Sequence, residues 1–306
     1  MIKLKRFAAV AALCALAACD RAKEAPAPQS GPAAAEQTQV QDGIAVKPLS
    51  KWRHLEPEKA VDQQASQQYA GLIAQARQAG ALIPDEHPQV GRLRGIAKRI
   101  IPFTERWNPQ AADWKWQVNL LNSEQVNAFC MPGGRIAFFT GILTQLKLTD
   151  DEAAAVMGHE IAHALREHGR ERAAKATATG VASRIIGFGL SAWLGVDPRL
   201  TDTVASSAGQ LVVLKFSRDE EREADLIGLD LAARAGFDPR AGIALWRKMG
   251  ALNKRAPVQI LSTHPGGEER IVEMERHMDV LLPLYARAKG VGVDKLPPYR
   301  TAALSN

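Results

Sequence analysis

Large apolar residues are almost missing from positions 21–43, where Ala, Pro, Gln and Ser dominate. A stretch of that kind buries too little surface to offset its conformational entropy, so a flexible tether is expected there. Helical spacing of apolar positions begins afterwards, over 57–79 and again over 87–101. Positions 114–121 alternate as a short strand. The runs 126–131 and 135–140 flank Pro132-Gly133-Gly134, the signature of a β-hairpin.

Beyond the hairpin the pattern is helical. Thr149 and Glu152 have the spacing of a capping box, and Asp150 and Asp151 suit the positive end of the helix that follows. That helix is expected to run to Gly169, a good C-terminal stop. Ser217 and Glu220 form a second capping box, opening a helix that ends at Gly236. A last long helix is expected from near Pro265, a residue that fits the first helical position. The apolar stretch 180–196 contains Arg184 and several glycines and is short for a membrane span. It reads as a core or site-covering segment. The fold class expected is mostly α with a small β-sheet, an α+β domain over 46–290 with a tail over 291–306.

The chain has 306 residues with 46% hydrophobic and 24% charged, enough for a sizeable core without disulfides. Its formal charge of +6 is modest, and no basic run is interleaved with aromatics, so nucleic acid is not an expected partner. Lys3, Lys5 and Arg6 precede a short apolar run over 7–18, the form of a cleaved export signal. Leu16-Ala17-Ala18-Cys19 resembles the lipobox of bacterial lipoproteins. That resemblance implies a signal peptide over 1–18, lipid on Cys19, a tether over 19–45 and a periplasmic location. Asp20 resembles an inner-membrane retention signal, and the choice between the two membranes stays open. With Cys14 removed and Cys19 lipidated, Cys130 is the one thiol left, so neither an intramolecular disulfide nor a cysteine zinc cage is expected. It reads as a buried inert thiol rather than an inhibitory zinc ligand.

The chemistry is concentrated in His159-Glu160-Ile161-Ala162-His163. Two histidines four apart on a helix project from one face, a turn apart, and suit two ligands of a tetrahedral zinc ion. Glu160 stands beside them, placed to take a proton from a water as general base. A catalytic zinc needs a third protein ligand and one open position. His168, five residues after His163, turns away from that face and reads as a solvated or helix-end histidine. The acidic run after Ser217 offers Glu220, Glu221 and Glu223, and position alone does not choose among them. Glu221 and Asp225 share a helical face, so one could bind metal while the other holds a ligand histidine.

H-E-x-x-H followed by Glu221-x-x-Ala224-Asp225-x-x-Gly228 resembles the metallopeptidase family of HtpX and the CaaX prenyl endopeptidases, in particular its soluble periplasmic branch. The likeness runs over about 60–285. It implies a gluzincin-like domain holding one Zn2+, with His159, His163 and Glu221 as ligands and Asp225 as a supporting, catalytic aspartate. Asn127-Ala128-Phe129 and the turn after them resemble the strand beside the cleft, where substrate would add as a further strand. Thr263-His264-Pro265 with Arg270 resembles another family segment. There His264 would sit near the metal or gate it, and Arg270 would stabilise an oxyanion or pair with a nearby Glu. The function implied is an endopeptidase for misfolded or unassembled envelope proteins. The alternatives are an assembly factor for outer-membrane proteins that rarely cuts, working beside the assembly machinery, and an interaction module with a structural zinc.

Overall fold

A computed structural model describes residues 42–178, 216–255, 258 and 260–304. Cys19, Asp20 and the apolar stretch 180–196 lie outside the described residues. The elements in order are α1 (Glu58–Gln78), α2 (Pro88–Ile100), β1 (Gln117–Leu121), β2 (Ala128–Met131), β3 (Arg135–Phe139), α3 (Thr140–Gln145) and α4 (Asp150–Leu165). There follow α5 (His168–Ala178), α6 (Arg218–Arg234), α7 (Arg240–Asn253), α8 (Ile260–Thr263), α9 (Glu268–Arg276) and α10 (Met278–Lys289). The domain is mostly helical with one small mixed sheet, as expected from the sequence pattern.

The sheet has the order β1-β3-β2, with β1 parallel and β2 antiparallel to β3, so β2 is an edge. Alternation sends Leu121, Phe129, Met131, Ala137 and Phe139 to one face, where α1 covers them with Ala65 and Tyr69. The Tyr69 hydroxyl donates to the Ile136 carbonyl at 2.6 Å, tying that helix to the central strand. Val118, Leu120, Ile136 and Phe138 point the other way into the main core. Burying each large side chain of this kind contributes roughly 1.5–3 kcal/mol.

α4 runs through the middle of that core, and residues from Glu152 to Leu165 along it are buried. Both capping boxes form as the spacing predicts: Thr149 with Glu152 opens α4, and Ser217 with Glu220 opens α6. The two helices touch backbone to backbone at Gly158 and Gly228. A Cβ on Gly158 would lie 2.4 Å from the Gly228 carbonyl oxygen, and one on Gly228 would lie 2.5 Å from the His159 nitrogen. Only glycine permits that approach, which brings the acidic start of α6 against the histidines of α4.

Several expectations need correction. α4 stops at Leu165 rather than Gly169, because Glu167 takes a left-handed φ of 56° and Gly169 falls inside α5. The last helix starts at Glu268, after Gly267 rather than at Pro265, and His277 divides it into α9 and α10. The packed chain begins before residue 46: Ile44 is buried, and its N–H donates to Asp230 Oδ2 at 3.1 Å. Asp42 pairs with Arg287 at 2.8 Å. The segment after α10 is docked as well, with Leu296 and Leu304 against the core and the Thr301 hydroxyl on Glu152. No helix of the described residues is long and apolar enough to cross a membrane.

Candidate metal centre

His159 and His163 turn their Nε2 atoms toward each other at 3.1 Å, and both rings are buried. Glu221, one turn into α6, brings Oε1 to 3.4 Å from His163 Nε2 and Oε2 to 3.6 Å from His159 Nε2. From the turn after α8, His264 places Nδ1 2.9 Å from Glu221 Oε1 and 3.3 Å from His159 Nε2. One ligand atom from each of the four lies within 4.8 Å of the others. Ligands at the usual zinc distances sit about 3.3 Å apart at the corners of a tetrahedron. The individual spacings of 2.9–3.6 Å given above bracket that figure, so the cluster fits a metal ion.

The carboxylate Oε1 of Glu160 supplies a second sign of fit. Among the described residues it is buried without a hydrogen-bond partner, and His264 Nε2 lies 3.9 Å away. An orphaned carboxylate oxygen of that kind costs free energy unless water or another group completes the site. Burial raises the Glu160 pKa above the usual carboxylate range against the charges of His264 and His159. Burial also drives His163 well below the ordinary histidine value, which leaves a neutral ring with a free lone pair. Burial alone would raise Glu221, but His264, His163 and Arg270 outweigh it and hold the group well below the usual range, as an anion.

Behind these atoms lies a second set of side chains. His159 Nδ1 stands 3.0 Å from Asp225 Oδ1. Arg270 grips Asp225 with Nε and Nη2, each at 2.6 Å, and Trp246 Nε1 donates to the same carboxylate at 3.3 Å. The Arg270 guanidinium lies 3.6 Å over the Trp246 ring and also pairs with Glu221. The pairing with a nearby Glu expected of Arg270 is present, and Asp225 shares it. The three glutamates that spacing left open take separate places: Glu220 caps α6, Glu221 joins the cluster, and Glu223 holds His168 and Arg166.

His168 corrects the sequence reading. It is buried, not solvated, and its Nδ1 lies 2.9 Å from His163 Nδ1. In an unbroken helix it would stand roughly 140° around the axis from His163. The left-handed Glu167 starts α5 in a new direction and swings the ring back. The one signal in the sequence was a histidine without a role; nothing at 165–167 announced the break.

Asn127, Ala128 and Phe129 are all buried, and the Phe129 ring packs on Tyr69 and Phe139, on the face of the sheet toward α1. Asn127 O accepts from Phe139 N at 3.1 Å, so antiparallel alternation turns the backbone groups of Ala128 and Cys130 away from β3. Cys130 is buried, burial pushes its thiol well up, and it is not among the clustered ligand atoms. A cavity of about 420 Å³ opens on the His163 side, lined by Asn108, Trp114, Pro132, Gly133 and Arg170 among others.

Comparison with known proteins supports the same reading. Residues 88–278 match Peptidase family M48. The mitochondrial metalloendopeptidase OMA1 of Arabidopsis thaliana is 39% identical over 155 residues, which cover 51% of this chain and 30% of the plant protein. OMA1 of Schizosaccharomyces pombe is 34% identical over 196 residues, covering 63% of this chain and 54% of its own length. The beta-barrel assembly-enhancing protease of Escherichia coli is 29% identical over 179 residues, covering 55% of this chain and 36% of its own. The chain thus matches between about a third and a half of the length of these relatives. With its two-helix cluster of His159, His163 and Glu221 inside the matched region, the chain belongs to peptidase family M48 and carries a metalloendopeptidase domain of that family.

Proposed function

We propose that the chain is a zinc-dependent endopeptidase of the bacterial cell envelope, acting on misfolded or unassembled envelope proteins. The observation that carries the chemistry is the tetrahedral spacing of His159, His163 and Glu221 beside the unpartnered Oε1 of Glu160. When bound, zinc supplies a Lewis acid that brings the pKa of a water to about 7. Glu160 then accepts the proton and returns it to the leaving amine. Asp225 orients His159, and Arg270 pairs with both Asp225 and Glu221 and holds them in place. The outward carbonyl of Ala128 and the outward backbone groups of Cys130 offer an extended peptide an edge to pair with, while the Ala128 N–H donates to Asn127 Oδ1 at 3.0 Å.

The envelope setting rests on the export signal and lipobox ending at Cys19, together with the Escherichia coli relative named for β-barrel assembly. The mitochondrial relatives favour no bacterial compartment. A second reading, in which the protein binds clients and rarely cuts, draws support from His264. Its Nδ1 stands 3.3 Å from His159 Nε2 and 2.9 Å from Glu221 Oε1, near enough to serve as a fourth ligand in the place a catalytic site leaves open.

The test is zinc content and casein cleavage by the full chain in detergent, beside Glu160→Gln and Glu221→Ala. One zinc per chain is expected, kept in Glu160→Gln while cleavage falls by about 10²-fold or more. Loss of both is expected in Glu221→Ala. Undiminished cleavage by Glu160→Gln would sink the mechanism. Zinc without cleavage in the parent chain would move the binding reading ahead.

A further inference from the structure

We infer that His168 is a positioning residue of the metal centre: with Glu223 it orders the protons on His163 so that Nε2 offers its lone pair to the metal. The inference rests on the zinc reading above. His163 Nδ1 and His168 Nδ1 are 2.9 Å apart, so one proton must lie between them. His168 Nε2 is 2.8 Å from Glu223 Oε2. A carboxylate only accepts hydrogen bonds, so that Nε2 carries its hydrogen. With its hydrogen on Nε2, the His168 ring offers Nδ1 as the acceptor for His163 Nδ1–H. His163 in turn has a bare Nε2, the atom that faces His159 and Glu221. One carboxylate thereby sets the tautomers of two rings, in the manner by which outer partners orient metal-binding histidines.

The backbone marks the same device. Glu167 is a non-glycine residue at positive φ, a conformation that L side chains adopt only at a cost. The surroundings hold it there: its carboxylate takes Arg53 at 2.6 Å and Arg170 at 2.5 Å. What the turn achieves is the return of His168 to the ring it follows by five residues. Glu223 is fixed from its other side by Arg166 Nη2 at 3.0 Å, and Arg166 also donates to the Lys47 carbonyl at 2.6 Å. The line from cluster to rim is therefore His163, His168, Glu223, Arg166.

Two readouts test this without relying on turnover. Zinc affinity of the full chain is measured by competition with a chromogenic chelator, for the parent, His168→Phe and His168→Asn. The phenylalanine keeps the ring volume and loses both hydrogen bonds, and a 10–100-fold weaker affinity is expected. The asparagine Oδ1 still accepts from His163 Nδ1–H, so it recovers most of that loss. A residue that only filled space would show the opposite order. The second readout is two-bond 1H–15N correlation of the histidine rings in the parent protein loaded with zinc. It is expected to give Nδ1–H for His163 and Nε2–H for His168, and it needs no variant to fold. Parent-level affinity in His168→Phe, or an Nδ1–H tautomer for His168, overturns the relay while leaving the zinc reading intact. A parent chain that binds no zinc overturns both.

Discussion

His159 and His163 sit one turn apart on α4, yet the protein holds them by unlike means. His159 leans directly on a carboxylate, Asp225, which is itself clamped by Arg270 and Trp246 and is buried with its partner. His163 reaches its carboxylate, Glu223, through the His168 ring, and the Glu223 side chain is 19% exposed. Both carboxylates come from α6, two residues apart, with Glu221 ahead of them in the cluster. The first support is an ion pair away from water, where removing one charge strands the other. The second ends at the rim, where solvent can replace a lost partner. A single helix thus gives one ligand a rigid backing and the other an adjustable one.

The largest effect that separates the two supports is expected from Asp225→Asn. It leaves the Arg270 guanidinium half unpaired inside the core, and breaking a buried pair of this kind costs about 3–5 kcal/mol. Glu223→Gln keeps an acceptor for His168 and Arg166 on a side chain that is 19% exposed, and its cost is expected to be smaller, about 1.5–3 kcal/mol. Urea unfolding of the metal-free proteins measures both. Equal losses would erase the distinction between the two supports.

The next test moves both supports together. Gly228→Ala places a methyl against the His159 backbone, where the neighbours are main-chain atoms that cannot turn aside. Overpacking of that sort costs about 1–3 kcal/mol. It should also push α6 away from α4, so zinc affinity is expected to fall along with the thermal midpoint. A fall in midpoint with unchanged affinity would mean that the cluster tolerates a shift of its helix, and that the close crossing serves packing alone.

The parts of this arrangement legible in the sequence are those written in local spacing. H-E-x-x-H fixes a helical face by itself, and Thr149 with Glu152 and Ser217 with Glu220 mark where the two site helices begin. The hairpin around Gly133 and Gly134 is similar, because both glycines take the positive φ that such a turn needs. What the sequence left open depends on contacts between distant segments. Glu221 and Glu223 differ only in what α6 faces. The break after Leu165 depends on Arg53 and Arg170 holding Glu167, and Arg53 lies more than a hundred residues earlier. Ile44 belongs to the core because Asp230 accepts its N–H, a link with no local trace.

The smallest effect is expected at the caps, and it sharpens the comparison at the level of the helices themselves. Thr149→Ala and Ser217→Ala each remove one side-chain acceptor from a first-turn N–H, a change worth about 1 kcal/mol. The two caps differ in what stands behind them. Glu152 also takes Lys248 at 2.8 Å and the Thr301 hydroxyl, so α4 stays pinned after Thr149 is lost. The Glu220 carboxylate accepts from Ser217 N at 2.7 Å, its Oε1 has no hydrogen-bond partner among the described residues, and Glu221 is the very next residue. Thr149→Ala is therefore expected to lower the unfolding free energy while leaving zinc affinity alone. Ser217→Ala is expected to cost a similar free energy and also to weaken zinc binding severalfold, because the frayed turn carries the ligand. Chelator competition alongside urea unfolding reads both quantities, and equal affinities in the two variants would show that Glu221 is held by Arg270 rather than by the helix start.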